Sequence, residues 1–271
     1  MTRGKLSGVA GILMDLDGTV HVGDTLVPGA DSAIALLRER GTKILFVTNN
    51  ATKSPAEYVK RLRGMGISVT EKDVFTSAMA TAEYLAGKHC RGEKVYVLGG
   101  DALKEELSKV GCAILGEEKA KEADMMVSAL DLGLTYNRLK AACYAIQAGA
   151  KYIVTNLDAN LPMEVGYEPG SGAIAAAVTA ATSTKPLLIG KPSKIMVGLA
   201  LKRLGVKRDS AIMVGDRLDS DIKAAKSAGL RSVLVLTGVT RNLRGVRKEL
   251  LPDVTIPSVA DLPELLLERR S

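Results

Sequence analysis

The sequence contains few of the residues on which several protein classes depend. Its 271 residues include no Trp, two Phe and three Cys. This leaves little aromatic surface on which nucleic-acid bases could stack. Cys90, Cys112 and Cys143 are odd in number and form no Cys-x-x-Cys pair, so neither a disulfide framework nor a zinc site is predicted. We therefore expect a protein of the reducing cytoplasm that binds no nucleic acid.

Long apolar runs are also missing. The longest uncharged run, residues 169–184, is rich in Ala and Thr. It is shorter than the roughly 20 apolar residues that a membrane-spanning helix needs. Near the start of the chain, the apolar run is interrupted at Asp15 and offers no cleavage site. The sequence therefore predicts neither a membrane segment nor a signal peptide.

Charged residues are abundant and unbalanced. The formal net charge is +7, and basic residues cluster at 202–208 and 241–248. Without aromatic residues among them, we interpret these clusters as solvated helix faces whose mild positive field favours anionic substrates. The hydrophobic fraction of 46% and the charged fraction of 25% are typical of a globular protein. The length allows one large domain or two smaller ones.

Strand-like and helix-like patterns alternate near the start of the chain. The apolar residues 11–14 form a short strand pattern, 31–40 a helix pattern and 43–48 a second strand pattern. Strand, helix and strand in this order predict a right-handed βαβ unit with parallel strands.

A separate set of patterns interrupts this unit. It contains predicted strands at 94–98, 125–129 and 152–155 and predicted helices at 101–110, 135–147 and 171–182. After it come predicted strands at 186–189, 211–214, 231–236 and 254–256, with a helix at 194–204 and a basic helix before the last strand. We therefore predict an α/β fold with a Rossmann-like, doubly wound parallel sheet as its core, formed by residues 1–80 and 184–271. Residues 81–183 are predicted to form an inserted α/β domain.

Two carboxylates follow the first predicted strand, in the segment Asp15-Leu16-Asp17-Gly18-Thr19. In open α/β sheets, ligands bind beyond the carboxyl ends of the strands, where both acids would lie. Paired carboxylates suit Mg²⁺, and a carboxylate can also act as a covalent nucleophile. A solvated Asp-x-Asp-Gly turn is the alternative, since Asp and Gly are ordinary turn residues. The motif alone leaves both interpretations open.

Three further strand ends carry polar residues. Thr48-Asn49-Asn50 lies between a strand and a helix, where hydroxyl, amide and backbone N–H groups can bind an anion. Lys191 follows the predicted strand 186–189 of the core, and Asp216 and Asp221 follow the next. If these strands are parallel neighbours, the polar groups converge at one edge. They then supply what phosphoryl transfer requires: a nucleophile, a metal site and positive charge beside the phosphate.

At these strand ends the chain resembles a known family, and the resemblance covers nearly its whole length. The segments are similar to the four ordered motifs of the haloacid dehalogenase (HAD) superfamily: Asp15-Leu16-Asp17-Gly18-Thr19, Thr48-Asn49-Asn50, Gly190-Lys191-Pro192, and Gly215-Asp216 with Asp221. The insertion after the second motif is similar to the large α/β cap of the NagD-like, p-nitrophenyl-phosphatase branch. Residues 81–183 are therefore expected to be a cap domain.

The resemblance implies a role for each acid. Asp15 is the expected nucleophile, and Asp17 the expected acid for the leaving group and then the base for water. The expected Mg²⁺ ligands are the Asp15 carboxylate, the Asp17 backbone carbonyl and Asp216. Asp221 matches a supporting acid that acts through water. Mg²⁺ offsets the repulsion between the acids and the phosphate, and Lys191 can add a compact positive charge beside both.

The resemblance also singles out residues outside the four motifs. Residues 155–160 match a cap loop that reaches over the site, and Asp158 is a predicted contact with the leaving group. A plain polar loop is the competing interpretation. Asp219 has no counterpart in the family pattern and is predicted to be a solvent-facing turn residue. His21 is a candidate for lining the entrance, with a surface or packing role as the alternative for both His21 and His89.

Together these observations predict a cytoplasmic, Mg²⁺-dependent phosphatase of small phosphomonoesters that acts through an aspartyl-phosphate on Asp15. The acid at Asp17 favours phosphate esters over alkyl halides, because the dehalogenase branch does without it. Nucleotides, sugar phosphates and phosphoglycolate all stay open as substrates. Two alternatives also stay open: a phosphotransferase or phosphomutase with the same nucleophile, and a non-catalytic module that binds phosphometabolites. The resemblance further suggests a homodimer formed through the cap.

Overall fold

The computed structural model describes residues 6, 8–88, 91–162 and 166–267, so His89 and Cys90 lie outside the described residues. The strands are β1 Gly11–Met14, β2 His21–Val22, β3 Thr25–Leu26, β4 Lys43–Thr48, β5 Val74–Thr76, β6 Lys94–Leu98, β7 Ala113–Leu115, β8 Met125–Ser128, β9 Lys151–Val154, β10 Asn160–Pro162, β11 Tyr167–Pro169, β12 Leu187–Leu188, β13 Ala211–Gly215, β14 Arg231–Val235 and β15 Val254–Ile256. The helices are α1 Ala30–Glu39, α2 Pro55–Gly64, α3 Ser77–Ala86, α4 Asp101–Lys109, α5 Tyr136–Gln147, α6 Ser171–Thr182, α7 Lys194–Leu204, α8 Lys223–Ala228 and α9 Leu262–Leu267.

The first of two compact units comprises Met1–Thr48, Pro55–Phe75 and Lys191–Ser271. Its six-stranded sheet has the order β5-β4-β1-β13-β14-β15. β1 is parallel to β4 on one side and to β13 on the other. In chain order, β4 and β5 are added on one side of β1, and β13, β14 and β15 are added later on the other side. The topological switch point, where α/β sheets bind ligands, therefore lies between β1 and β13.

Apolar side chains of the strands pack this sheet against the helices. Because successive strand residues point to opposite faces, Ile12 and Met14 of β1 share one face. They belong to the same buried cluster as Phe46 of β4 and Ile34 and Leu37 of α1. The strands are buried along nearly their whole length, as expected for a parallel sheet that has helices on its faces.

The second compact unit comprises Asn49–Ser54 and Thr76–Gly190. Its five-stranded sheet has the order β12-β9-β8-β6-β7, and every neighbouring pair is parallel. Tyr96, Met126, Ile146, Ile174 and Val178 belong to the buried cluster between this sheet and helices α5 and α6. The predicted borders of the inserted domain, 81 and 183, lie inside this unit. The prediction of an α/β fold with parallel sheets is confirmed.

Two predictions about single elements were wrong. Residues 186–189 were expected to form a strand of the first sheet, but β12 pairs with β9 in the second. A short apolar run does not specify which sheet it joins, because its pattern fits any buried strand. The basic helix expected before β15 is also missing from the described residues 237–247, which are irregular apart from a bend at 237–239 and a turn at 244–245. Gly238 and Gly245 within this stretch disfavour a helix.

None of the helices in the described parts of the chain combines the length and the apolar character needed to cross a bilayer.

Two adjacent leucines of α1 offer a matched test of this packing. Leu37 is fully buried in the first unit, whereas Leu36 keeps 36% of its surface exposed. We expect Leu37→Ala to lower the free energy of unfolding by about 2–5 kcal/mol, because it removes buried methyl groups and leaves a cavity. Leu36→Ala should cost less than about 1 kcal/mol. Urea unfolding followed by circular dichroism measures both, and equal losses would contradict the packing of α1.

Candidate active site

Asp15 stands directly after β1 at the switch point of the sheet. Its backbone N–H donates to the carbonyl of Val214 at 2.9 Å, so it continues the pairing between β1 and β13. Its side chain is buried, with a residue exposure of 6%. The carboxylate is therefore held at the end of a rigid strand.

Asp216 follows β13, the neighbour of β1. It is fully buried, and its Oδ2 accepts a hydrogen bond from the Val239 N–H. A Cβ atom built on Gly18 or on Gly238 would overlap the Asp216 carboxylate. Gly18 also has φ +87°, a backbone conformation that suits glycine. The glycines at these positions make room for a buried acid between two turns.

Asp221 reaches the same place from the short helical turn Leu218–Ile222. Its Oδ2 accepts a hydrogen bond from the Arg217 N–H at 3.1 Å. Its carboxylate lies against Gly215, where an added Cβ would overlap it. One ligand atom each from Asp15, Asp216 and Asp221 lie within 4.8 Å of one another. The structure therefore brings Asp15 together with two acids that lie about 200 residues further along the chain.

Lys191 places a positive charge inside this cluster. Its ammonium donates to Asp15, to Asp221 at 2.7 Å and to the Val47 carbonyl at 3.1 Å. Burial by itself lowers the pKa of Lys191, but the charges of Asp15 and Asp221 outweigh burial and raise it. Lys191 therefore stays protonated despite its 2% exposure.

One lysine does not balance the negative charge of the three carboxylates. Burial raises the pKa of Asp15 well above its usual value, and Lys191 opposes this, while Asp221 and Asp216 raise it further. Burial, followed by repulsion from Asp221, raises the pKa of Asp216 to about 7. Both shifts have burial as their largest cause, because a site screened from water disfavours a charged carboxylate, and the negative charges of the neighbouring acids add to it.

The cluster has the donors that a hard divalent cation requires. Mg²⁺ prefers carboxylate oxygens, and three such groups lie close together here. Oδ1 of Asp216 is buried and has no hydrogen-bond partner within the described part of the chain. Such an atom is costly unless it is paired or bound to a metal. Asp15, Asp216 and Asp221 therefore fit a divalent cation.

Asp17 differs from these acids because its side chain is 54% exposed. One carboxylate oxygen lies 3.7 Å from Nδ1 of His21, a residue that is itself fully buried. The packing alternative for His21 is therefore the one that the structure supports, because the ring is buried in the first unit. Asp219 is also solvent-facing, as predicted, and it pairs with Arg217 at 3.0 Å.

The segment after β4 is divided between the two compact units. Thr48 is the last residue of β4, is buried and belongs to the first unit, whereas Asn49 and Asn50 belong to the second. Asn50 Oδ1 accepts hydrogen bonds from the Thr52 N–H at 2.8 Å and the Thr52 hydroxyl at 2.7 Å. Asn49 Nδ2 donates to Asp158 at 3.0 Å. Asp158 is thus brought to Asn49 within the second unit.

Tyr58 of α2 is a residue that the sequence patterns did not single out. It is buried, and burial raises the pKa of its hydroxyl; Asp17 and Asp15 raise it further, while the Thr48 side chain acts in the opposite direction. The Tyr58 hydroxyl is therefore close enough to Asp15, Asp17 and Thr48 for these residues to affect its pKa. No local sequence motif marks it.

Two family models match this chain. The model of haloacid dehalogenase-like hydrolases covers residues 12–113, and a second model of HAD-like hydrolases covers residues 188–262. The acid sugar phosphatase of Staphylococcus saprophyticus is 38% identical over 256 residues, a match that spans 94% of this chain and 96% of the relative.

Solved structures agree with these matches. The p-nitrophenyl phosphatase from Archaeoglobus fulgidus is similar with a TM-score of 0.89 and 34% identity, over 95% of this chain and 99% of that one. The glycerol phosphate phosphatase Rv1692 from Mycobacterium tuberculosis, solved with magnesium, is similar with a TM-score of 0.87 and 35% identity, over 94% of this chain and 76% of that one. The chain therefore belongs to the haloacid dehalogenase-like hydrolases, in their NagD-like, p-nitrophenyl-phosphatase branch.

Proposed function

We propose that this protein is a Mg²⁺-dependent phosphatase that hydrolyses small phosphomonoesters through an aspartyl-phosphate on Asp15. The observation that carries the proposal is the buried cluster of Asp15, Asp216 and Asp221 around Lys191 at the switch point of the sheet. It combines a carboxylate nucleophile, a set of metal ligands and a fixed cation. The relatives named above are phosphatases of small phosphate esters, which supports the same reaction class here.

The reaction then proceeds in two steps. A carboxylate oxygen of Asp15 forms a bond to phosphorus while the bond from phosphorus to the ester oxygen breaks, and Asp17 gives that oxygen a proton. Asp17 next takes a proton from water, which attacks phosphorus and releases inorganic phosphate from Asp15. The exposure of Asp17, at 54%, supports exchange of protons with substrate and water.

The other residues bind and orient. Asp15, Asp216 and the backbone carbonyl of Asp17 would hold Mg²⁺, with Asp221 in support. When bound, the cation neutralises charge on the acids and the phosphate. Lys191 favours the ionised form of Asp15 and aligns its carboxylate through a hydrogen bond. Thr48, Asn49 and Asn50 would bind phosphate oxygens through hydroxyl, amide and backbone N–H groups.

The second compact unit is proposed to act as the cap domain that sets substrate choice. The named relatives share the phosphate group of their substrates but differ in the alcohol: a sugar, p-nitrophenol and glycerol. Their shared chemistry agrees with a common core, and their differences agree with a separate specificity domain. We infer a substrate in the same size range.

The nucleophile can be tested with p-nitrophenyl phosphate and Mg²⁺. We expect Asp15→Asn to lower kcat about 10³-fold or more, because an amide cannot form the acyl phosphate. Asp219→Asn is the matched control, and it should keep near-normal activity because its side chain is 69% exposed. Wild-type protein should release inorganic phosphate and p-nitrophenol in equal amounts. Full activity of Asp15→Asn would refute the mechanism, and nitrophenol without phosphate would favour a phosphotransferase.

The metal site can be tested by direct binding. Even outer-shell partners typically account for about 10–100-fold in metal affinity, so Asp216→Ala should weaken Mg²⁺ binding by about 10-fold or more. Titration calorimetry measures the affinity without any turnover. Asp209→Ala, at an exposed acid of the same unit, is the control and should bind Mg²⁺ normally. Unchanged Mg²⁺ affinity in Asp216→Ala would remove this residue from the site.

We also infer a cytoplasmic protein that forms a homodimer through the second unit. Cys112 and Cys143 are buried thiols, in keeping with a reducing compartment. Leu132 and Tyr136 are 82% and 78% exposed, which supports a partner surface. Light scattering should give twice the chain mass for wild type, and Leu132→Asp should halve it, unlike the exposed control Lys119→Asp. A monomeric wild type would contradict the dimer.

A further inference from the structure

We propose that Asp158 is a positioning residue: it holds Asn49, and through Asn49 the turn that follows β4, instead of contacting the leaving group. The inference rests on the proposed function, in which Thr48, Asn49 and Asn50 bind the phosphate. It replaces the sequence-based prediction for Asp158 with a different role. Its consequence is that losing Asp158 should weaken the handling of every phosphate to the same degree.

The side-chain amide of Asn49 is bound by Asp158 and lies close to Gly190. Its Nδ2 donates to Oδ2 of Asp158 at 3.0 Å. A carboxylate only accepts hydrogen bonds, so the nitrogen of the amide must face it. On the other side, Oδ1 of Asn49 lies so close to Gly190 that an added Cβ there would come within 2.7 Å of it. Asp158 therefore sets the orientation of the amide, and Gly190 leaves room for its oxygen.

The backbone of Asn49 is held by the same loop. Its carbonyl accepts hydrogen bonds from the Asn156 amide at 2.8 Å and from the Ser77 hydroxyl at 2.5 Å. The other end of the Asn156 side chain accepts from the Asp158 N–H at 3.1 Å. Asn156 is buried, with 5% exposure, so these bonds are shielded from water. One asparagine thus joins the backbone of the turn to the backbone of Asp158.

The loop that carries Asp158 is itself held by backbone contacts with the start of α6. The Asp158 carbonyl accepts a hydrogen bond from the Gly172 N–H at 2.9 Å, at the start of α6. An added Cβ on Gly170 or on Gly172 would overlap the backbone of residues 157–158. The carboxylate therefore meets Asn49 from a preset backbone, and little conformational entropy is lost on making the bond.

Charge also argues against Asp158 as a direct ligand of the phosphate. A carboxylate that faced a phosphate would repel it, whereas a carboxylate that accepts from an amide is stabilised. The negative charge of Asp158 strengthens its bond to Asn49, since charge-assisted hydrogen bonds are roughly twice as strong as neutral ones. Asp158 can thus order a phosphate-binding segment without being a phosphate ligand.

The test compares inorganic phosphate, which has no leaving group, with two esters. In Asp158→Ala, the inhibition constant of phosphate should rise by about 10-fold, the factor expected for one charge-assisted hydrogen bond. The kcat/KM values for p-nitrophenyl phosphate and glycerol phosphate should both fall by that same factor. Asp158→Asn should show a smaller loss than Asp158→Ala, because its amide oxygen can still accept a hydrogen bond from Asn49. Asp101→Ala, at an acid of α4 that is 85% exposed, controls for the lost charge.

A double-mutant cycle decides whether the effect passes through Asn49. Asn49→Ala/Asp158→Ala should be no worse than Asn49→Ala alone, because both variants remove one bond. The inference is overturned if the two losses multiply, or if phosphate inhibition is unchanged while the two esters respond differently. Should Asp158→Ala fold poorly by circular dichroism, Asp158→Asn and Asn49→Ser enter the same cycle.

Failure of the proposed function would look different. A wild-type protein that hydrolyses neither ester and does not bind inorganic phosphate would refute the function itself. The contact between Asn49 and Asp158 would then be tested by the melting temperatures of the same variants. Additive shifts in melting temperature would overturn the inference. A double variant with the same melting temperature as Asn49→Ala would support the contact between Asn49 and Asp158.

Discussion

The structure depends on an electrostatic constraint at the switch point of the first sheet. Asp15, Asp216 and Asp221 carry three negative charges when ionised, and Lys191 carries one positive charge, so two negative charges are left over. Burial and mutual repulsion raise the pKa of Asp15 and of Asp216. A divalent cation balances the two remaining charges, which is the physical reason why the cluster suits metal-assisted phosphoryl transfer.

The buried acids also constrain the backbone around them. β1 and β13 are neighbours although about 200 residues separate them, and each ends in one of the acids. The acids fit only because Gly18, Gly215 and Gly238 leave space where any side chain would overlap a carboxylate. Substituting these glycines would displace the carboxylates of Asp216 and Asp221. A buried ionic site therefore constrains residues that have no polar side chain.

A different constraint acts after β4, where the chain passes from one compact unit to the other between Thr48 and Asn49. Thr48 ends a strand of the first sheet, while Asn49 is bound by Ser77, Asn156 and Asp158. A turn that contributes to phosphate binding in the proposed mechanism is thus ordered by residues of the proposed cap.

The sequence by itself determined the local elements and the chemical inventory. The sequence predicted the apolar runs that form β1, β4 and β13. It also predicted the acids and the lysine that follow strand patterns. Both predictions were possible because strand periodicity and strand-end chemistry are local properties. Only the tertiary structure decided that β12 joins the second sheet, that Tyr58 lies beside Thr48, and that Asp158 meets Asn49. These facts depend on pairing and packing between residues distant in the chain, and no local pattern encodes which partner a short strand, a buried tyrosine or a loop acid will find.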